Sequence, residues 1–382
     1  MENSQMATPT QEEKSEIRNK KIRNSAFELL RVIAIIFIII SHYCFHGARN
    51  DPNILPYNMI IACNLSLGNI GVAIFMMISG YFLRKSQKVN VMHMVKLILE
   101  YYFYIILGYG LSFALVPGKT FDSNEFLRVI FPLFFEESWF VPAYLLVYLF
   151  HPFINKIFTE SNYKSAFTFI VLITVVWSIV PTFTTAQFFL NGFISVFCFY
   201  CYGAFLKLAQ DVGKKWYNKK TAWRLFFIGL GVILLYQTIV TIIACYNIDT
   251  APAAEGFTTR FSFLMILMVM GLIMLVSLSK PFYCRPLNFV AGFTLGIYLI
   301  HDNIFLRDYY WHTLFRTQDF TSTNLMIPHL LMCLAIIFCL GLVIDVTRKY
   351  ALEGPLFKLI NRVVDKIKVK IELRKQNKAS QE

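Results

Sequence analysis

The residues of this chain that could carry out acid–base chemistry stand inside an apolar stretch near its start. Residues 27–46 read FELLRVIAIIFIIISHYCFH, and this run contains Glu28, Arg31, His42 and His46. Arg31 and His42 are eleven residues apart, which in an α-helix is a rotation of about 1100°, only about 20° from whole turns. They therefore share one helix face, about 16 Å apart along the axis. Glu28 and His46 extend the same stripe through spacings of three and four residues.

Ionisable side chains are costly in a helix that crosses a membrane. An arginine at the centre of such a helix costs at least about 2.5 kcal/mol to insert. The stripe should therefore face protein or water, and it is a candidate functional site. The alternative is that Arg31 extends to one membrane surface while His42 only caps the helix near the other.

The composition is that of a membrane protein with many spans. Of the 382 residues, 57% are hydrophobic and 15% are charged, with a mean hydropathy of +0.55, whereas soluble domains are about 25% charged. The net charge of +13 is spread over short segments between apolar runs. This pattern indicates basic cytoplasmic loops and argues against a nucleic-acid partner. Cys198 and Cys201 form a C-x-x-C inside an apolar run, which favours packing over a metal or redox role.

Ten apolar segments predict an all-α polytopic protein with about ten transmembrane helices. They are 26–46, 66–83, 95–117, 137–156, 165–183, 189–208, 223–245, 260–279, 289–306 and 326–346. With the N-terminus inside, the cytoplasmic segments hold 29 Lys and Arg residues and the outer segments hold six. This asymmetry predicts that both termini are cytoplasmic. Gly68, Gly71 and Gly80 predict close packing of the second helix.

The chain divides into a membrane domain and two tails. Residues 1–25 are polar and predicted to be a disordered cytoplasmic tail, and residues 26–346 form the membrane-embedded domain. Residues 347–382 form a basic cytoplasmic tail whose amphipathic helix should lie on the anionic inner leaflet. The run 126–135 is apolar but too short to span, which is typical of a re-entrant or interfacial piece.

Four segments, in this order, resemble the acyltransferase-3 family of bacterial integral membrane proteins that O-acylate cell-surface glycans. They are LLRVIAIIFIIISH (29–42) with its R-x10-H pattern, GNIGVAIFMMISGYFLRK (68–85), SWFVPAYLLVYLFHPFINK (138–156) and GIYLIHDN (296–303). A glutamate motif of another branch of the family is not matched in register by Glu136 or Glu137. The resemblance implies a stand-alone O-acyltransferase of the bacterial cytoplasmic membrane, with an acyl-CoA donor, a surface polysaccharide or lipid-linked glycan as acceptor, and the lipid bilayer around it.

Residue chemistry and the resemblance point to the same assignments. His42 is the expected catalytic base, because acyl transfer to an alcohol requires removal of the hydroxyl proton and imidazole titrates near neutral pH. Arg31 is expected to bind the phosphates of the donor, taken as acetyl-CoA, because guanidinium suits phosphate. His301 is the second catalytic candidate, with acceptor binding, proton transfer and a simple interhelical hydrogen bond all open. Direct transfer and an acyl-histidine intermediate also remain open.

Other chemistries have little support in the sequence. No P-loop, H-E-x-x-H or G-x-S-x-G motif is present. His42 and His46 have a spacing that could hold a metal, but no third ligand is evident, so no metal is expected. His151 is interpreted as an interfacial residue at a helix end. A competing hypothesis is an exporter of a polysaccharide or lipid-linked glycan, which the absence of repeats and broken helix pairs disfavours.

Overall fold

The structure is a computed structural model that describes residues 24–135, 138–184, 192–246 and 262–355. Within these ranges the chain is helical and contains no β-strand, which confirms the predicted all-α class. The helices are α1 (Ser25–His42), α2 (Pro56–Leu65), α3 (Gly68–Leu83), α4 (Val91–Leu115), α5 (Ser123–Ile130), α6 (Phe140–Ile154), α7 (Tyr163–Thr174), α8 (Val180–Phe183), α9 (Gly192–Asp211), α10 (Lys219–Tyr246), α11 (Phe263–Ser277), α12 (Arg285–Ala291), α13 (Thr294–His301), α14 (Gln318–Thr321) and α15 (Met326–Thr347). π-Helical turns at Tyr43–Ala48, Val175–Ile179, Tyr309–Leu314 and Arg348–Glu353 extend or join them.

Seven helical stretches in the described ranges are long and apolar enough to cross a membrane. They are Ser25–Ala48, Pro56–Leu83, Val91–Leu115, Glu160–Ile179, Gly192–Asp211, Lys219–Cys245 and Met326–Glu353. The apolar helices α6 and α11 are shorter, and the predicted span 289–306 is divided between α12 and α13. The protein is thus an all-α polytopic membrane protein. The count of ten spans and the cytoplasmic termini stay predictions.

Helix α3 lies at the centre of the bundle because its glycines let neighbouring backbones approach closely. A Cβ added to Gly71 would lie 2.5 Å from the carbonyl oxygen of Ala34 on α1. A Cβ on Gly80 would collide with the backbone of Tyr200 on α9. The predicted close packing of this helix is confirmed, and it holds α1 firmly against the core. Cys198 and Cys201 of α9 are free and buried, as a packing role requires.

The chain between α4 and α6 returns into the bundle as a broken segment. The Tyr102 hydroxyl donates to the carbonyl of Ile130 (3.0 Å), and the Ser138 amide donates to the Tyr101 hydroxyl (3.0 Å). Both tyrosines precede the end of α4 by about 20 Å of helix, so the residues after α5 lie beside the middle of α4. This contact favours a re-entrant piece over an interfacial one. Irregular backbone at this depth is tolerated where protein buries it or where it lines a cavity.

A buried arginine joins three elements at one end of the bundle. Arg84, whose side chain is 3% exposed, donates to the carbonyl of Phe158 (2.8 Å) and pairs with Asp211 of α9 and with Glu160 (3.4 Å). We expect Arg84→Ala to destabilise the protein by about 3 kcal/mol, because it removes charge-assisted hydrogen bonds inside a packed site. Thermal unfolding in detergent measures the effect. Lys85→Ala is the control, since Lys85 contacts the same carboxylates with a 63% exposed side chain and should change the melting temperature little.

Several predictions concern residues outside the described ranges. They include most of the N-terminal tail, the amphipathic helix of the C-terminal tail, and Glu136 and Glu137. His151 is described, and it is a buried residue in the last turn of α6. Its Nδ1 lies 2.5 Å from the carbonyl of Tyr148, and its Nε2 lies 3.1 Å from Ser86 Oγ. The prediction that His151 stands at a helix end is confirmed, its interfacial depth stays a prediction, and its contacts are structural.

Candidate active site

Two helices that end in histidine bring the two predicted catalytic residues together. His42 is the last residue of α1 and His301 is the last residue of α13, and these helices pack side by side. His42 Nδ1 lies 2.9 Å from His301 Nε2, across 259 positions of sequence. The side chain of His42 is 18% exposed, whereas His301 is buried. The pair therefore has one fully buried imidazole and one that is partly exposed.

The hydrogen bonds of this pair assign its tautomers. His301 Nδ1 lies 2.6 Å from the carbonyl oxygen of Ile297. Because a carbonyl only accepts, the proton of neutral His301 belongs on Nδ1, and its Nε2 is an acceptor. His42 must then donate its Nδ1 proton to His301. This assignment leaves the lone pair of His42 on Nε2, the nitrogen that a base or nucleophile uses.

A carboxylate that the sequence analysis did not single out faces the pair. One oxygen of Asp302, Oδ1, lies 3.8 Å from His42 Nδ1 and 3.9 Å from His46 Nε2. Among the described residues this buried oxygen has no hydrogen-bond partner. The Asp302 side chain is 11% exposed. A carboxylate at this distance attracts a positive charge on His42, whereas burial of His42 and the nearby Arg307 oppose it.

His42, His46 and Asp302 form a possible metal site. The ligand atoms of His42, His46 and Asp302 lie within 4.8 Å of one another, so Asp302 supplies the third ligand that the sequence did not reveal. However, Arg307 Nη1 lies 3.5 Å from the same Asp302 oxygen, and a cation at that position opposes a divalent metal. We therefore interpret Asp302 as the electrostatic partner of His42 and His46 as a neighbour of that pair.

The backbone after His42 is held by packing as well as by the helix. The chain passes from α1 into the π-helical turn Tyr43–Ala48, a type of irregularity often found at functional sites. The Tyr43 hydroxyl lies 3.0 Å from His329 Nδ1 on α15. A Cβ on Gly47 would lie 2.7 Å from Thr317, so this turn needs glycine for its close approach. The end of α1 is thus tied to the segment that precedes α15.

Arg31 lies in a large cavity on the same helix. The cavity has a volume of about 610 Å³. Arg31 Nη1 is 2.5 Å from Glu28 Oε1 (a buried carboxylate), which agrees with the predicted stripe on α1. Glu28 therefore orients Arg31 and does not contact the histidines. Arg31 and His42 are both described, but the cavity lining includes Arg31 and not His42.

The polarity of the cavity lining differs between its two ends. Titratable residues, most of them charged, line the end of the cavity that is formed by α4 and by the π-helical turn after α15. They are His93, Lys96, Glu100, Arg348, Lys349 and Glu353. Ser79, Tyr144 and Tyr148 line the same cavity together with Arg31. Apolar side chains line the cavity at both ends. Leu83 and Leu97 lie towards the charged end, whereas Ile38, four residues before His42, and Phe140, in contact with Tyr298, lie towards the histidines. Ile38 lies about 10 Å beyond Arg31 along α1, so charge gives way to an apolar surface in the direction of His42.

Tyr298 separates the cavity from the histidine pair. It lines the cavity, and its ring centroid lies 6.4 Å from that of His42 and 6.0 Å from that of His301. Its hydroxyl is 3.0 Å from Ser138 Oγ, at the end of the broken segment. Phe140 contacts its ring edge-to-face at 5.9 Å. The cavity therefore ends one aromatic ring short of His42.

A buried carboxylate positions α13 and, through it, His301. Asp345 of α15 accepts from the Tyr104 hydroxyl (2.9 Å) and from Arg348 Nε (2.6 Å). A Cβ on Gly296 would collide with this carboxylate, so α13 can pack against it only with glycine there. Arg348 also pairs with Glu100 (3.1 Å) and Glu353 (2.9 Å). Its charge is therefore already balanced by carboxylates.

The sequence contained a signal for some of the residues that its analysis missed. Asp345 stands inside the last apolar segment, so the rule that singled out Arg31 applies to it equally. Asp302 directly follows His301, but nothing in its spacing relates it to His42. Lys96, Arg348 and Lys349 were counted only as cytoplasmic charges, and their shared position at one cavity mouth depends on tertiary packing.

The fold is that of a membrane-embedded helical protein, and its candidate active site is a pair of histidines in contact beside an internal cavity. The sequence profile of the acyltransferase-3 family, described as an acyltransferase domain, matches residues 24–346. The chain belongs to this family, and it is a membrane acyltransferase. No curated protein and no solved structure matches it.

Proposed function

We propose that the protein moves an acetyl group from acetyl-CoA, bound from the cytoplasm, to a hydroxyl of a surface polysaccharide or lipid-linked glycan. The observation that carries this proposal is the cavity that leads from a charged mouth, past Arg31, to within one ring of the histidine pair. A coenzyme A thioester has a matching order of parts. Its phosphates are at one end, its pantetheine arm in the middle and its acyl group at the other end.

The mouth of the cavity offers cations for the donor phosphates. Lys96 and Lys349 lie there, and Arg31 lies deeper in the cavity. Arg348 is held by three carboxylates, so we assign it a structural role. Lys96 lies 3.9 Å from Glu353 and Arg31 pairs with Glu28, and neither is enclosed by three carboxylates as Arg348 is, so we expect the two lysines and Arg31 to meet the phosphates. Basic residues that line a cleft attract phosphate groups and form charge-assisted hydrogen bonds with them.

The histidine pair supplies the chemistry. The acceptor hydroxyl gives its proton to His42 Nε2 while its oxygen attacks the thioester carbonyl carbon. The carbon–sulfur bond then breaks, an ester forms, and the coenzyme A thiolate takes up the proton. The imidazolium that forms on His42 faces Asp302 at 3.8 Å. An acyl-histidine intermediate would use the same free nitrogen, so the tautomer assignment serves either route.

A polar pocket near the end of α13 suits the approach of a glycan. It has a volume of about 420 Å³, and its lining is Lys119, Asp122, Asn124, Glu125, Arg128, Ile304 and Phe305. Ile304 and Phe305 follow His301 by three and four residues. We propose that the protein lies in a bacterial cytoplasmic membrane with both termini cytoplasmic, so that this pocket faces outward. Residues 26–346 then form the membrane domain, and residues 1–25 and 347–382 are its cytoplasmic tails.

The direct test is acyl transfer in membranes from a host that lacks the gene and carries its native surface glycan. With acetyl-CoA labelled in the acetyl group, we expect label to enter the glycan only when the protein is restored. Thermal stabilisation by coenzyme A in detergent is a second readout, because a ligand of the folded state raises the melting temperature. An exporter would show neither effect, and that result would reject the proposal.

Loss of the Arg31 cation should weaken binding of the acetyl-CoA donor more than it slows the chemical step. We expect Arg31→Ala to raise KM for acetyl-CoA about tenfold or more, while kcat at saturating donor changes less, because guanidinium–phosphate contacts act mainly on binding. Arg31→Lys should recover part of the affinity.

Initial rates over a range of donor concentrations measure this effect. Lys156→Ala is the control, since Lys156 is a basic residue outside the cavity lining. If the initial rate fell by the same factor at every donor concentration, with KM unchanged, the assignment of Arg31 to donor binding would be contradicted.

A further inference from the structure

The far end of the cavity has a surface that bears on which acyl group can be transferred. In a donor whose phosphates occupy the charged mouth, the acyl group is the leading end. It would meet the wall nearest His42, where Phe140 and Tyr298 contact each other edge-to-face with ring centroids 5.9 Å apart. Ile38 and Val72 line the cavity beside them. This wall is therefore the part of the protein that senses the size and charge of the acyl group.

The wall contains no positive charge. None of its four residues is ionised at neutral pH, and the cation of the lining nearest along α1, Arg31, lies seven residues earlier and is paired with Glu28. A carboxylate carried on the acyl chain would be moved from water into apolar surroundings without a partner. A short uncharged chain meets no such penalty.

The wall also limits length. Tyr298 is held by its contact with Phe140 and by the hydrogen bond between its hydroxyl and Ser138 Oγ. Phe140 is in turn the first residue of α6, directly after the broken segment. An acyl chain that already reaches this wall can become longer only by displacing one of these packed rings, because a close-packed interior has no spare volume beyond it.

We propose that Phe140 and Tyr298 form the selectivity wall of the donor cavity, which admits acetyl and propionyl groups and excludes longer or carboxylate-bearing acyl groups. This inference rests on the proposed function. The inference goes beyond the proposed function because it assigns the choice of acyl group to two named side chains and excludes succinyl-CoA as a donor.

The test compares acetyl-, propionyl-, butyryl- and succinyl-CoA, each labelled in the acyl group, in membranes that carry the native glycan. We expect the wild type to use butyryl and succinyl at least tenfold less efficiently than acetyl, as kcat/KM. Phe140→Ala should raise the ratio of butyryl to acetyl use at least tenfold, and Phe140→Leu should give an intermediate ratio. Phe153→Ala, on the same helix but with a 64% exposed side chain outside the cavity lining, should keep the wild-type ratio.

The outcomes separate this inference from the proposed function. If the wild type transfers no acyl group from any donor, the proposed function fails. If it transfers succinyl or butyryl as efficiently as acetyl, only the selectivity wall fails. An unchanged butyryl-to-acetyl ratio in a well-folded Phe140→Leu protein would also overturn it, and this milder variant covers the case in which Phe140→Ala does not fold.

Discussion

Replacement of His42 by alanine is expected to lower acyl transfer about a thousandfold at equal protein level. The physical reason is that Nε2 of His42 is the free basic nitrogen of the histidine pair, and a positioned general base contributes about 10²–10⁴-fold to a rate. The defect should appear in kcat and persist at saturating donor, because His42 lies outside the donor cavity. Labelled transfer to the native glycan measures it.

His312→Ala provides the matched control for His42→Ala. His312 is an exposed histidine in the π-helical turn Tyr309–Leu314, and its loss should leave the rate within about twofold of wild type. Coenzyme A should still stabilise the His42→Ala protein against thermal unfolding. A His42→Ala protein that folds, binds coenzyme A and transfers acetyl at the wild-type rate would remove His42 from the mechanism.

The second large effect is expected from His301, which we assign as a positioning residue. His301→Ala should lower kcat about a hundredfold with little change in the KM for acetyl-CoA, because it removes the acceptor that keeps the His42 proton on Nδ1. Without that acceptor the lone pair is shared between the two nitrogens of His42, and the ring loses its orientation. In other enzymes, loss of a tautomer-setting partner costs up to about 10⁴ in rate.

The variant His301→Gln separates this role from a purely structural one. A glutamine side chain can still accept a hydrogen bond through its amide oxygen, so it should restore activity to within about tenfold of wild type. Leu299 is a neighbouring buried residue of α13, and Leu299→Ala should lower thermal stability without selective loss of kcat. If His301→Gln is as inactive as His301→Ala while both proteins melt at the wild-type temperature, the tautomer assignment is incorrect.

The sequence alone determined the class of fold and the family. Apolar runs of about 20 residues predict spanning helices, because backbone polar groups in lipid must be satisfied within the segment. The R-x10-H spacing placed Arg31 and His42 on one face because helix periodicity is local. The spacing of the glycines predicted the close approach of α3 to its neighbours, also because helix periodicity is local in sequence. These features depend on residues close together in sequence, and the structure and the family match confirm the fold and the family.

Only the tertiary structure decided how the site is assembled. The pairing of His42 with His301 joins residues 259 positions apart, and no local spacing encodes the contact. The place of Asp302, the charged end of the cavity and the contacts of Ile130 and Ser138 with α4 likewise depend on which helices become neighbours. Which helices become neighbours follows from many packing contacts formed at once, such as glycines against backbones and Asp345 against α13. These contacts join residues that are distant in sequence, so local spacing does not predict them.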